Sequence, residues 1–70
     1  MRGEPAQHDR SDQIVLYLTR EELLLLAGSV NEAIEAVDDW EFHTRLGATV
    51  AEATALREEL GELIARLPPE

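Results

Sequence analysis

The sequence predicts an α+β domain: one N-terminal β-strand followed by two main helices, with a short helical turn between them. Three observations carry that expectation. A run of β-branched, aromatic and leucine residues, "QIVLYLT" at 13–19, has the length and composition of a strand. Two Thr-x-x-Glu boxes, at Thr19 and Thr49, each open a stretch with apolar residues at helical spacing. Pro68 and Pro69 then stop the second stretch.

The strand comes first. Ile14, Leu16 and Leu18 point to one face and Val15 and Tyr17 to the other, so both faces are apolar and both want cover. No second strand-like run follows downstream. A lone strand cannot satisfy its own N–H and C=O groups, and an apolar edge invites pairing. The expectation is therefore a homodimer in which Ile14, Val15, Leu16, Tyr17 and Leu18 pair antiparallel with the same strand of a second copy. The polar residues 1–12 are expected to be a disordered tail in which His8 and Arg10 are idle, and 13–70 the single domain.

In the first helix, Thr19 and Glu22 cap each other, and Glu21 and Glu22 suit the positive end of the helix dipole. Leu23, Leu26, Ala27, Val30, Ala33, Ile34 and Val37 form a stripe that Leu24 and Leu25 widen at its start. Gly28 and Ser29 interrupt it and suggest close helix packing. The second helix repeats the device with Thr49 and Glu52. Ala53, Leu56, Leu60, Leu63 and Leu67 make a coiled-coil-like seam flanked by Ile64.

Between the helices, "DDWEFHTRLGAT" at 38–49 holds the only Trp and the only Phe. Asp38 or Asp39 is placed to cap a short helical piece that Gly47 ends in the left-handed conformation. Phe42 and Leu46 stand four apart and are expected to plug the two-helix core. Trp40 is expected to cover that core or the dimer seam, and Arg45 to pair with a carboxylate, Glu41 four residues earlier or Asp38 nearby. Asp38, Asp39, Glu41 and His43 are ligand types for a divalent cation, but paired His, HExxH and calcium-loop spacings are all missing. Thr44 and the acidic residues beside His43 are candidate catalytic partners only through nearness in sequence, and there is no Gly-rich phosphate loop. The expectation is a structural turn with no catalytic residue, no cofactor and no metal.

Composition limits the partners. Seventy residues make one small domain, and without Cys there is neither a disulfide nor a thiolate metal site to reinforce it. Fifteen acidic residues against six Arg give a formal net charge of −9, which repels phosphate backbones and anionic membranes. Strand–helix–helix is also the order of ribbon–helix–helix repressors, but the outward candidates Gln13, Val15 and Tyr17 carry no positive charge. The longest apolar runs are far short of the ~20 residues of a membrane span, and the opening twelve residues have no h-region. A cytoplasmic protein is expected, with no nucleic-acid or membrane partner.

The segment from Leu18 to Leu56 resembles a group of short bacterial proteins of unassigned function. Leu18, Thr19, Glu22 and Leu23 match that group's opening, and Asn31 and Glu32 its helix. Glu41, Phe42, Thr44, Arg45 and Gly47 match its Glu-Phe-x-Thr-Arg-x-Gly turn. The likeness covers about half the chain and implies no activity. It singles out Asn31, Glu32, Glu41 and Arg45 as polar residues expected to bridge the first helix to the turn. Together these observations predict a small acidic homodimer that acts by binding protein. The alternatives are an immunity- or antitoxin-like inhibitor of a basic toxin, and a DNA-binding regulator, which the charge opposes.

Overall fold

The computed structural model describes residues 1–6 and 12–69. Its elements run β1 (Arg2–Pro5), β2 (Ile14–Tyr17), α1 (Arg20–Ala36), α2 (Asp39–Leu46) and α3 (Val50–Ala65). The α+β class stands, with an unexpected first strand. β1 pairs antiparallel with β2, setting Arg2 against Tyr17, Gly3 against Leu16, Glu4 against Val15 and Pro5 against Ile14. This corrects the expectation that β2 has no partner within the chain, and that residues 2–5 belong to a tail. "RGEP" has no apolar periodicity to announce a strand, because its pairing is made by backbone groups rather than by side chains. His8 and Arg10 lie outside the described residues.

Both capping boxes form. The Glu22 N–H donates to the Thr19 hydroxyl while the Thr19 N–H donates to the Glu22 carboxylate, and Thr49 and Glu52 repeat the pattern. α1 ends at Val37 and α2 starts after Asp38, whose side chain makes no capping hydrogen bond. Gly47 ends α2 at φ 74°, with its N–H donating to the His43 carbonyl at 2.8 Å. α3 ends sooner than its apolar pattern suggests, leaving Leu67 beyond it. The approach of Pro68 disfavours α geometry in the residue before it. The last turn tightens accordingly, with Arg66 and Leu67 bonding to carbonyls three residues back.

α1 packs along α3, and α2 closes one end against α3. Among the described residues only Leu23, Phe42 and Leu60 are buried, Phe42 completely. The seam on α3 is rotated from the expected one. Ala53, Arg57, Ile64 and Leu67 are half-buried around Leu60, whereas Leu56 and Leu63 are exposed. One neighbouring helix covers only part of so wide an apolar arc. Leu24, Leu25 and Leu26 are likewise exposed. Gly28 faces open space, so close packing is not its role.

The hairpin of β1 and β2 stands beside this helical layer. No Cα of either strand comes within 8 Å of a helix Cα. The two parts are joined by the Met1 ammonium, 2.7 Å from Glu22, and by Leu16 and Leu18, which look across a gap of about 300 Å³ toward Leu23, Leu63 and Leu67. The protein is a slab of 36 × 35 × 17 Å. Among the described residues no helix is long and apolar enough to cross a membrane.

Candidate interaction surface

The turn at 38–49 is built on Phe42. Its ring is 1% exposed, the most deeply buried side chain described, and it floors a shallow groove of about 320 Å³ between α1, α2 and α3. Leu46 lines that groove but remains 46% exposed, so Phe42 alone plugs the core. Trp40 lies two residues before Phe42, about 200° around the helix, and points away from the core at 79% exposure. Of the two places expected for it, the helical core and a dimer seam, it does not cover the first. Asp38 and Asp39 stand exposed next to it in sequence.

Arg45 Nη1 lies 3.8 Å from Glu41 Oε2, one turn away on the same helix. Arg45 is exposed and Glu41 half-buried, and so open a pair stabilises α2 only slightly. Thr44 and His43 are exposed. Asn31 does not bridge to this turn. Its Oδ1 accepts from Arg57 Nη1 of α3 at 2.9 Å, and its Nδ2 donates to Glu35 at 3.3 Å. Glu32 is exposed on α1, away from the turn. Apart from Glu32, the polar residues singled out in the sequence therefore fall into two sets, one joining α1 to α3 and one confined to α2. Arg57, which sequence reasoning passed over, completes the first. Its signal was an Arg four residues after Ala53 and three before Leu60, within the buried arc.

Two carboxylates have lowered pKa values. The Met1 ammonium holds Glu22 below the ordinary value of 4.5, helped by the Thr19 N–H. The Thr49 N–H and hydroxyl do the same for Glu52. Both serve helix capping. Among the described residues no three carboxylate or imidazole groups converge to form a cation cage.

The largest feature is apolar. Ile14 (65%), Leu25 (73%), Val15, Leu16, Tyr17, Leu24, Leu26, Leu56, Leu63 and Met1 are all exposed. The hairpin sorts its share by face. A Cβ on Gly3 would meet Leu16 and Ile14, so these three share one face. On the other, the Arg2 guanidinium sits 4.6 Å from the Tyr17 ring centroid and 3.5 Å from Glu4. One face is apolar and only partly covered, with Leu16 and Leu18 turned toward the gap before the helices; the other carries a cation–π contact and an ion pair. Comparison with family models, curated proteins and solved structures gives no match.

Proposed function

We propose that the protein is a non-enzymatic binding module that works as a homodimer. The observation that supports this most directly is its surface. A compact monomer of 7.8 kDa exposes about 4,400 Å², whereas this chain exposes 5757 Å². The difference exceeds the ~800 Å² per partner of a standard interface. The radius of gyration points the same way, 13.9 Å against the ~11 Å typical of seventy residues. Sedimentation equilibrium at micromolar concentration tests the proposal. A dimer is expected, and a stable monomer sinks it.

What such a dimer binds is suggested by Trp40. Large aromatic side chains are favoured anchors of protein interfaces, and an indole face attracts Lys and Arg. Trp40 is exposed in the first turn of α2, next to the exposed Asp39 and the N-cap Asp38. A basic protein is the partner that suits this chemistry, which is also what an immunity- or antitoxin-like inhibitor requires. Titration of a basic model protein, followed by Trp40 fluorescence at two salt concentrations, tests the reading. A salt-sensitive shift supports it, and an unchanged spectrum counts against it.

A further inference from the structure

We propose that β2 offers its free edge to β2 of a second copy, with Leu16 on the two-fold axis, so that two hairpins form one four-stranded antiparallel sheet in the order β1–β2–β2–β1. The inference rests on the homodimer reading and specifies its interface.

The hairpin's hydrogen bonding identifies the edge. The Ala6 N–H donates to the Gln13 carbonyl at 3.2 Å. Bonded and non-bonded pairs alternate along an antiparallel ladder, so Glu4 with Val15 and Arg2 with Tyr17 are bonded pairs. Gly3 with Leu16 and Pro5 with Ile14 are the non-bonded pairs, and their backbone groups point outward. On β1 that outer edge is blunted, because Pro5 has no N–H to offer. On β2 the outer edge presents the N–H and C=O of both Ile14 and Leu16, neither of which is a Pro or carries a charge. A second copy carries the same complementary row, and a two-fold axis brings the two rows together antiparallel.

The side chains select the register. With Leu16 on the axis, Ile14 faces Leu18 of the second copy and Leu16 faces its counterpart. Six aliphatic side chains then share the face that looks onto the gap before the helices. On the opposite face Val15 meets Tyr17, a favourable pairing of β-branched and aromatic side chains. A shift that centres the axis on Val15 would set Leu18 opposite Asp12, an acid against an apolar neighbour. The apolar face made this way adjoins the gap that Leu16 and Leu18 share with Leu23, Leu63 and Leu67. Ile14 of the second copy, placed beside Leu18, extends that apolar floor. A two-stranded hairpin is marginal alone, and four strands with one apolar face against helices are not.

The absence of Cys makes the test direct. Leu16→Cys, Val15→Cys and Glu4→Cys are each introduced into the full chain and oxidised. Residues paired as Leu16 is here have Cα atoms ~5.5 Å apart, within disulfide reach. The two copies of Glu4, three strand spacings apart and offset along the strands, are separated by more than about 14 Å. Leu16→Cys should give covalent dimer at least tenfold faster than Glu4→Cys. In the unsubstituted protein, amide exchange at Ile14 and Leu16 should be as slow as at Val15 and Tyr17. If the chain sediments as a monomer, the homodimer reading and this interface fail together. If it is a dimer in which the Ile14 and Leu16 amides exchange freely and Leu16→Cys does not link, only the interface is overturned. Preferential linking through Val15→Cys overturns the register and with it the proposal.

Discussion

Arg57 Nη1 donates to Asn31 Oδ1 at 2.9 Å, and that bond ties the middle of α3 to α1. It is partly buried, and Asn31 reaches on to Glu35, so an Arg and a Glu of like-facing surfaces are joined through one amide. Removing the amide leaves a half-buried guanidinium short of an acceptor. Asn31→Ala should therefore cost about 1–2 kcal/mol in urea unfolding. With Arg57→Ala the two losses should be less than additive. Full additivity would show that the pair contributes nothing jointly.

Phe42→Ala should cost ~3–5 kcal/mol, since its ring has almost no exposure. In so small a domain that leaves much of the population unfolded. His43→Ala, at an exposed position, should stay within ~0.5 kcal/mol of the parent. Thermal melts of the two variants would settle it; equal losses would mean that the turn is not organised around Phe42.

Two glycine substitutions should have opposite signs. Gly47 holds φ 74°, so Gly47→Ala forces a Cβ into the left-handed region at a cost of about 1–2 kcal/mol. Gly28 lies inside α1 with nothing near an added Cβ, so Gly28→Ala should stabilise by up to ~1 kcal/mol. Denaturation midpoints for the two that move the same way would contradict the structure.

Acid should weaken the helix starts. Glu22 and Glu52 have folded pKa values below 4.5, so the unfolded chain takes up protons first as pH falls. Their stabilisation is fully present above that value and is lost as pH drops through the lower folded values. Glu52→Gln keeps an acceptor for the capping box but not the titration. Its unfolding midpoint should fall less steeply below pH 5 than that of Glu58→Gln, which removes the same charge elsewhere. Matching slopes would refute the capping explanation.

Duplex DNA should not bind at physiological salt, given a formal net charge of −9. Fluorescence anisotropy with a labelled duplex checks this, and a salt-dependent, sub-micromolar transition would reverse it.

The helices were legible because their signals are local. Thr19 with Glu22 and Thr49 with Glu52 fix the starts, Gly47 fixes a stop, and Phe42 could be recognised as core from its place in the turn. β1 was hidden, because Arg2, Gly3, Glu4 and Pro5 have little strand propensity and are held by a ladder whose other half is the distant Ile14–Tyr17. The facing of α3 was also only partly readable. Its apolar arc admits two seams, and the contact of Arg57 with Asn31 belongs to one of them. Trp40 misled for a related reason: hydrophobicity suggests cover, but helical phase relative to Phe42 turns it outward.

The separation of the hairpin from the helical layer has a kinetic consequence. α1, α2 and α3 are joined by tight connections and can close on one another with short loops, which favours fast unimolecular folding. The hairpin gains little from that collapse, since neither strand backbone lies against a helix. If its cover comes from a second chain, refolding should show two phases. The helical signal would return first at a rate independent of protein concentration, and protection of the β2 amides would follow at a rate that rises with it. A single concentration-independent phase for both would mean that the hairpin is ordered by its own chain.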